Sequence, residues 1–400
     1  MIPFDEALKL VSGNVRTLPA VSAKIADAQG CAAAQDISAR FSNPLFDNSQ
    51  MDGYAVISQD LISASKENPA ALKVIEELPA GKTSLRELKS GEAIRIMTGA
   101  PIPKGADAVV AVEDTVRDGG SVKVFHAAKS GEYVRRAGED IKAGEIFVTK
   151  GKIISPAEIL AISGQGSEEV SVVRRPKVAI IATGDELAYV GQELTNGHIY
   201  NSSSPMLSAL VHSAGAVPFD MGIVPDDAKL IAEKLCDAIG LDMILMTGGV
   251  SVGDYDMNRR VLTNMGMREM FWRVAIKPGK PLLFGTLEGK PVFGLPGNPV
   301  STMTAFHLFV YPAIRNMMGV SGHDTRRISA KLTTDVERDR EREQFLLADL
   351  KFESASALVT ASGPQSSAHF KPALSANCLA RIPSGEGTHT SGTIVEIWTL

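Results

Sequence analysis

The sequence of 400 residues is poor in cysteine and tryptophan, with 3 Cys and 2 Trp, and it contains no long hydrophobic run. Its cysteines, Cys31, Cys236 and Cys378, are far apart and form no Cys-x-x-Cys pair for a metal or redox centre. An odd number of cysteines without a recognisable spacing is typical of a protein from a reducing compartment. The longest apolar runs, such as 178–182, have strand length, far below the ~20 residues that a membrane helix needs.

An excess of basic charge is also missing, because Lys plus Arg is 41 and Asp plus Glu is 46, a net charge of −5. We therefore expect no nucleic-acid partner and no attraction to an anionic membrane surface. The 7 histidines are scattered without the spacing of zinc ligands. Residues 1–7 carry acidic groups where a signal peptide needs basic ones, so we expect a cytoplasmic protein without a targeting segment.

At ~100–200 residues per domain, the length predicts two to four domains. Residues 4–11 have helical spacing, and an alanine-rich run, 21–39, continues until Asn43-Pro44 ends it. Ser155-Pro156 predicts the start of a second helix, with Ser155 as its cap. Between these helices, residues 54–125 alternate short strands with turns.

This order predicts a discontinuous helical domain, residues 1–45 and 138–174, with an inserted β domain at 46–137. Strand-like and helical segments then alternate, which predicts a doubly wound α/β domain at 175–322. Its expected strands are 178–182, 217–224, 243–246 and 291–295, and its expected helices are 205–211, 227–239 and the segment beyond Pro299. Alternating strands after residue 324 predict a C-terminal β domain at 323–400.

Four glycine-containing loops follow strands of the α/β domain, at 183–186, 247–254, 277–281 and 295–299. Ligands of open α/β sheets bind outside the carboxyl ends of the strands. Glycine lets the backbone approach an anion, and a following helix N-terminus favours negative charge. One such loop is usually only a tight turn, but several at one sheet edge predict a phosphate site. None matches a P-loop or dinucleotide fingerprint, which excludes a standard ATP or NAD site.

Carboxylates stand beside these loops, namely Asp185, Glu186, Asp226, Asp227, Asp254 and Asp256. Such groups next to a phosphate site suit Mg²⁺, which takes oxygen ligands. Helix capping is an equally good interpretation of Asp226 and Asp227. Lys277 and Lys280 flank a Pro-Gly turn and suit an oxyanion. The run 338–343 alternates in charge, a pattern typical of a solvated face.

As a set, these motifs resemble the molybdopterin molybdenumtransferases, the family of MoeA and the C-terminal domain of gephyrin. The resemblance extends from about residue 46 to residue 301, with the motifs in family order. The segments that carry it are 46–55, 96–101, 138–140, 183–187, 247–251, 276–281 and 295–299.

The resemblance implies that the protein inserts molybdate into the dithiolene of adenylated molybdopterin and releases AMP with the help of Mg²⁺. It also implies four domains, one of them a β domain inserted in an elongated helical domain. The implied assembly is an elongated homodimer, with each active site formed by the α/β domain of one subunit and parts of the other. A molybdopterin adenylyltransferase is the implied upstream partner. Molybdoenzyme apoproteins or cofactor carriers are the implied downstream partners.

Carried over residue by residue, the resemblance implies catalytic roles for Asp52, Thr98, Asp140, Glu186, Asp226, Asp256 and Lys277. The implied metal ligands are Glu186, Asp226 and Asp256. The implied substrate-binding residues are Gly184, Asp185, Gly248, Gly249, Ser251, Lys280, Pro296, Gly297, Asn298, Arg342 and Ser367. Arg342 with Phe345 resembles a family Arg-x-x-Phe element, and Gln365 with Ser367 resembles a Gln-x-Ser element.

The sequence departs from the family pattern at a few positions. Gln50 replaces a usual alanine, Ser203 replaces the second asparagine of Asn-Ser-Asn, and Glu341 replaces a customary glycine. Lys371-Pro372 replaces small polar residues. These changes concern contacts to pterin or molybdate and leave the reaction class unaffected.

Two alternative functions compete with the transferase. One is a molybdopterin adenylyltransferase, which shares the α/β domain, and the other is a non-enzymatic scaffold like gephyrin. The motifs that contain Asp52 and Thr98 lie outside the α/β domain and favour the transferase over the adenylyltransferase. The retained set of acidic residues argues against a pure scaffold.

Overall fold

A computed structural model describes residues 1–248, 257–322, 327–353, 356–366 and 369–400. The chain forms two compact units, one of Met1–Gln35, Lys150–Ile159 and Glu168–Leu400, the other of Asp36–Thr149 and Leu160–Ser167. The boundaries of the four predicted domains stay a prediction. Across the described ranges, none of the helices has the length and apolar character needed to span a membrane.

The helices of the described residues agree well with the sequence pattern. They are α1 (Phe4–Gly13), α2 (Pro156–Gly164), α3 (Ser203–Ser213), α4 (Ala228–Ala238), α5 (Met257–Asn264), α6 (Pro299–Ala305), α7 (Tyr311–Met317) and α8 (Lys371–Ser375). A π-helical turn, Phe306–Val310, joins α6 to α7. Helix α2 starts as predicted, because Ser155 Oγ accepts from the N–H of Ala157 and the Glu158 carboxylate accepts from the N–H of Ser155.

The strands are, in chain order, β1 (Ala20–Lys24), β2 (Ile37–Ser38), β3 (Asn48–Ser49), β4 (Gly53–Val56), β5 (Ala70–Leu78), β6 (Glu92–Ile96), β7 (Ala108–Ala111), β8 (Thr115–Asp118), β9 (Ser121–Val124), β10 (Val134–Arg135), β11 (Ile146–Val148), β12 (Glu169–Val173), β13 (Lys177–Thr183), β14 (Leu187–Ala188), β15 (Ile199–Tyr200), β16 (Val217–Val224), β17 (Met243–Thr247), β18 (Arg268–Trp272), β19 (Ile276–Lys277), β20 (Leu283–Leu287), β21 (Lys290–Leu295), β22 (Arg327–Leu332), β23 (Val336–Glu337), β24 (Glu343–Glu353), β25 (Ser356–Ala361), β26 (Cys378–Ile382), β27 (Thr388–His389) and β28 (Ile394–Thr399).

The alanine-rich run 21–39 is not helical, which corrects the sequence interpretation. It holds β1, the 3-10 turn Ile25–Asp27 and the short strand β2. β1 pairs antiparallel with β12, so that Ala20 lies opposite Val173. This long-range pairing outweighs the helix propensity of alanine, which amounts to only ~0.7 kcal/mol or less per residue.

The unit of residues 36–149 is built on a six-stranded sheet with the order β7-β4-β6-β5-β9-β8. Its strands confirm those predicted between residues 54 and 125. Apolar side chains cover both faces, one face around Tyr54 and Val110 and the other around Ile94 and Val109. Neighbouring residues of β7 therefore belong to opposite faces, as the strand period of two requires.

The α/β sheet has the order β16-β13-β17-β21-β20-β18. The first four strands are mutually parallel, and β20 and β18 complete the sheet antiparallel. One apolar core contains Val178 and Ile180, and a second core contains Ala179 and Ile181. β13 reads as a continuous apolar run because both of its faces are buried. The predicted doubly wound α/β fold is confirmed.

The C-terminal strands close into a barrel, because β24 pairs with β25 and with β26, and β22 and β28 complete the ring. Strand β19 of the α/β part adds to this barrel and places Lys277 opposite Gln344 of β24. Phe345 and Trp398 of the barrel pack against Phe4 of α1, with ring centroids 4.8 and 5.9 Å from that of Phe4. Phe4, Phe345 and Trp398 belong to the same apolar core as Val178 of β13, so the barrel and the α/β sheet are packed together.

Candidate active site

A cavity of about 1340 Å³ opens at the carboxyl ends of the α/β strands. Its wall combines the predicted strand-end loops with residues of the C-terminal barrel. The predicted site residues in its lining are Glu186, Gly248, Lys277, Lys280, Pro296, Gly297, Asn298 and Arg342. Leu194, Ile199, Tyr200 and Phe370 also line it and were not predicted. The cavity therefore has apolar surface for a flat ring system beside groups that attract anions.

A buried hydrogen-bond network holds the ends of β13 and β17 together. Asn258 of α5 donates to Thr183 Oγ1 at 2.7 Å and to the Gly248 carbonyl at 2.8 Å. Thr183 Oγ1 in turn donates to the Thr247 carbonyl at 3.2 Å. Asn258 is almost completely buried, so this amide positions the loops rather than contacting a ligand. The sequence analysis missed it, although its place at the start of a helix after a glycine loop is a usable signal.

Gly248 has a specific steric reason to be glycine. Its φ of +85° lies in the left-handed region, and a Cβ there would overlap the carbonyl oxygen of Thr183. Gly297 of the next loop is also close, since a Cβ at Gly297 would lie 3.8 Å from the Cα of Gly248. Two loop backbones thus approach each other without intervening side chains, and both face the cavity.

We expect Gly248→Ala to destabilise the protein by about 2–5 kcal/mol. The left-handed conformation costs alanine ~1–2 kcal/mol, and the clash with Thr183 adds ~1–3 kcal/mol of overpacking. Gly266→Ala is the matched control, because Gly266 has a φ of +88° but open space at its Cβ position. Urea unfolding followed by circular dichroism measures both variants. Equal losses for the two variants would show that the Thr183 clash is relieved without cost.

Three carboxylates gather beside Gly184. The backbone N–H of Asp226 donates to Asp185 Oδ1 at 3.0 Å, and the Glu186 carboxylate lies against Gly184. Burial, and then repulsion from Asp185 and Glu186, raise the pKa of Asp226. Burial is the larger cause of this shift, and the two neighbouring carboxylates add to it, so a bound cation or proton would stabilise this group of acids.

Asp227 has a structural role, as one of the two sequence interpretations expected. Its Oδ1 accepts from the N–H groups of Lys229 and Leu230 and so caps α4. Asp226 does not cap this helix. Among the described residues no group of three or more His, Cys, Asp or Glu side chains is arranged to hold a metal ion. The predicted residues Gly249, Ser251, Asp256 and Ser367 lie outside the described residues.

The cationic side of the cavity is organised by Asp339, which the sequence analysis did not identify. Asp339 Oδ2 lies 2.8 Å from an Arg342 guanidinium nitrogen and 3.5 Å from Lys277 Nζ. The Asp339 side chain is only 14% exposed, so the expectation of a solvated face at 338–343 is wrong here. Burial would raise the pKa of Asp339, but hydrogen bonds from Arg342 and from the backbone of Glu341 outweigh it and lower the pKa to about 2.

The family-like elements of the barrel have clear structural reasons. Phe345 is fully buried at the start of β24, so the Arg-x-x-Phe spacing leaves Arg342 just before the strand, at the cavity. The amide of Gln365 bonds both backbone groups of Leu347, at 3.0 and 3.1 Å. Gln365 thereby fastens the chain that leads to Ser366, another lining residue, against the same strand.

The other compact unit contains a second group of predicted residues. Asp52 Oδ1 accepts from both the backbone N–H and the hydroxyl of Thr98, each at 2.7 Å. These two hydrogen bonds lower the pKa of the exposed Asp52 carboxyl. Gly53 begins β4 directly after it, where a Cβ would overlap the carbonyl oxygen of Val110. The Met-Asp-Gly and Thr-Gly motifs thus meet in one turn region, with an ionised carboxylate at the surface.

Asp140 has a different partner, Asn43, whose side-chain amide donates to it at 2.8 Å. Nearby, Asp47 accepts from Arg136 at 2.6 Å and from the N–H of Ala137 at 2.8 Å. Asp47 was not predicted, although it belongs to the 46–55 motif. Its hydrogen bonds hold the chain at residues 136–137, just before Asp140. Asp47 thereby connects the 46–55 motif, which contains Asp52, to the segment that contains Asp140.

The fold combines an α/β domain with a cavity at its strand ends, a C-terminal barrel that supplies Arg342 to this cavity, and a β-rich unit, and so defines a multidomain protein. Three family models match the chain: "MoeA N-terminal region (domain I and II)" over residues 2–166, "Probable molybdopterin binding domain" over 179–316, and "MoeA C-terminal region (domain IV)" over 329–400.

Known proteins agree with this result over their whole length. Molybdopterin molybdenumtransferase 2 of Mycobacterium tuberculosis (strain ATCC 25618 / H37Rv) is 37% identical over 408 residues, which is 100% of both chains. The molybdopterin molybdenumtransferase of Staphylococcus aureus (strain COL) is 34% identical, over 99% of this chain and 95% of that protein. The crystal structure of the molybdopterin biosynthesis moeA protein from Pyrococcus horikoshii OT3 has a TM-score of 0.85 at 32% identity, with full coverage of both chains.

The chain belongs to the MoeA family of molybdopterin molybdenumtransferases. The predicted resemblance, the predicted multidomain fold class and the prediction of a transferase are therefore confirmed.

Proposed function

We propose that the protein inserts molybdate into adenylated molybdopterin and releases AMP, with Mg²⁺ as its cofactor. The observation that carries this proposal is a cavity in which glycine loops at the strand ends lie together with Lys277, Lys280 and Arg342. Both substrates are anions, one a phosphoanhydride and the other an oxyanion with two negative charges. Family membership supplies the reaction class, and the cavity supplies the chemistry that this class needs.

The glycine loops suit the phosphates of the larger substrate. Gly248 and Gly297 both line the cavity, so the backbone of two loops is available to an incoming phosphate. The apolar side chains Leu194, Tyr200 and Phe370 offer flat contact surface for a pterin or a nucleobase. The substrate is thereby oriented with its charged groups toward Lys277 and Arg342.

The carboxylate group beside Gly184 fits Mg²⁺. Glu186, Asp185 and Asp226 supply only oxygen donors, and repulsion from the first two adds to the effect of burial in raising the pKa of Asp226. Mg²⁺ is usually held by one or two carboxylates together with substrate phosphates and water, so a full protein cage is unnecessary. When bound, Mg²⁺ would neutralise charge on the phosphoanhydride. Glu186 and Asp226 would hold it, together with the predicted ligand Asp256.

Asp52 and Thr98 are the proposed acid–base pair of the other unit. The Asp52 carboxylate is ionised at neutral pH and can accept a hydrogen bond or a proton, although the hydrogen bonds from Thr98 lower its pKa and make it a weaker base. Thr98 fixes its orientation through two hydrogen bonds to one oxygen, which leaves Oδ2 for a reacting group. Asp140 is proposed to contribute from the same unit.

The experiment that tests the proposal mixes purified protein, adenylated molybdopterin, molybdate and Mg²⁺ and measures AMP by chromatography. We expect AMP release that depends on molybdate and Mg²⁺. A parallel reaction with molybdopterin, ATP and Mg²⁺ tests the adenylyltransferase alternative, and formation of the adenylate there would favour that activity. Absence of both activities in a protein that binds a receptor peptide would favour the scaffold.

The proposed partners follow from the same reaction. The adenylated substrate requires a molybdopterin adenylyltransferase upstream, and the product is passed to molybdoenzyme apoproteins or cofactor carriers. We also propose a homodimer, since the predicted site residues are distributed over two compact units. Light scattering at micromolar concentration should give twice the chain mass of 42.5 kDa. A mass equal to one chain would contradict the dimer.

A further inference from the structure

Asp339 lies directly behind the two cations that face the cavity. One of its oxygens, Oδ2, is shared by the Arg342 guanidinium at 2.8 Å and Lys277 Nζ at 3.5 Å. Lys277 and Arg342 line the cavity, whereas Asp339 does not. The cations are 46% and 31% exposed and the carboxylate only 14%. The arrangement is a buried carboxylate with its partners turned toward the ligand space.

The carboxylate cannot readily turn away from these cations. Its other oxygen, Oδ1, accepts from the backbone N–H groups of Glu341 and Arg342, each at 3.1 Å. The backbone of Asp339 is also held, because its N–H donates to Gln344 and its carbonyl accepts from Gly385 at 2.9 Å each. Gln344 is the register partner of Lys277, so one strand pairing sets the position of both charges.

We propose that Asp339 is the internal counter-ion of the oxyanion site, for which an incoming oxyanion substitutes as the partner of Lys277 and Arg342. This inference rests on the proposed function, since molybdate is the oxyanion in question. Lys277, Lys280 and Arg342 bring three positive charges and Asp339 removes one. The counter-ion thereby lowers the positive charge on this side of the cavity and limits how tightly any oxyanion is held.

Two physical effects of Asp339 oppose each other and can be separated. A carboxylate a few ångströms behind the cations repels a bound dianion, which weakens binding. The same carboxylate orders the long Lys277 and Arg342 side chains, which favours binding. The backbone already fixes Lys277 through β19 and Arg342 through the turn at 339–342. We therefore expect repulsion to be the larger effect.

Asp339→Asn tests the proposal with little change in shape. The amide oxygen can keep the two backbone hydrogen bonds of Oδ1, while the amide nitrogen abolishes both ion pairs of Oδ2. We expect the variant to bind inorganic molybdate and inorganic sulfate about three- to tenfold more tightly than the wild type in titration calorimetry. Its binding should also weaken more steeply with added salt, because one more net positive charge faces the anion.

Two further variants serve as controls. Asp349→Asn makes the same change in net charge on the same barrel, but Asp349 pairs with Lys351 at 3.0 Å and does not line the cavity. It should bind both anions as the wild type does. Asp339→Glu restores the charge and should return the affinity and the salt dependence toward wild-type values. A melting curve for each variant confirms that the fold is retained.

Tighter binding in Asp339→Asn alone supports the counter-ion. Unchanged anion binding in that folded variant would overturn the proposal. Weaker anion binding would overturn it as well and would make Asp339 only a positioning residue. Because the titrations use molybdate and sulfate without pterin, they decide this inference even if AMP release fails. Conversely, normal AMP release with unchanged anion binding in Asp339→Asn would leave the proposed function intact and reject the counter-ion.

Discussion

Replacement of Asp52 with asparagine is expected to lower turnover by about a hundredfold or more, the contribution typical of one positioned acid–base group. The variant removes the negative charge but keeps an oxygen that can accept from the N–H and the hydroxyl of Thr98. The turn should therefore persist, and the melting temperature should remain close to that of the wild type. AMP release under saturating molybdate and Mg²⁺ measures the loss.

Asp60→Asn is the matched control for this experiment. Asp60 belongs to the same compact unit and also accepts from a hydroxyl and a backbone N–H, those of Ser90 and Gly91. It was not predicted to take part in the reaction, so its variant should retain full turnover. If Asp52→Asn instead loses activity together with its melting transition, Asp52 is a structural residue and the proposed acid–base role fails.

Lys277→Gln is expected to raise the molybdate concentration needed for half-maximal cofactor formation by at least about tenfold. The substitution keeps much of the side-chain length and removes the charge. A hydrogen bond to a charged group contributes ~1.5–3 kcal/mol, which corresponds to a factor of ten or more in affinity. Lys277 lines the cavity, and its strand β19 is paired with the barrel, so the loss concerns charge rather than backbone position.

Lys331→Gln provides the control, since Lys331 is an exposed residue of the barrel strand β22 and does not line the cavity. Binding of adenylated molybdopterin to Lys277→Gln, measured by fluorescence or calorimetry, should weaken less than the molybdate dependence. The opposite pattern, with unchanged molybdate dependence and weaker pterin binding, would make Lys277 a phosphate ligand. The oxyanion would then be bound closer to Arg342.

Much of the α/β domain was predictable because its signals are local. β13, β17 and β21 are apolar runs of strand length, and each is followed by a glycine loop. A strand with both faces buried must be apolar throughout, and a tight turn at its end must tolerate left-handed backbone, as at Gly248. Both requirements are visible in a few consecutive residues.

The alanine-rich run 21–39 shows where local signals fail. Alanine favours a helix only weakly, whereas β1 gains a full antiparallel partner in β12, which is distant in sequence. The prediction of a solvated face at the charged run 338–343 was wrong for a related reason. Its alternation resembles a solvated face, but Asp339 meets Lys277 because β19 and β24 pair across the domain boundary predicted at residue 323.

The sequence by itself determined the family, the α/β fold and the strand-end loops of the cavity, because each depends on short motifs and on hydrophobic periodicity. Only the tertiary structure decided which charges and polar groups meet: Asp52 with Thr98, Asn258 with Thr183, and Asp339 with Lys277 and Arg342. The physical reason is that strand register and packing bring together residues far apart in the chain, and no local pattern encodes that register.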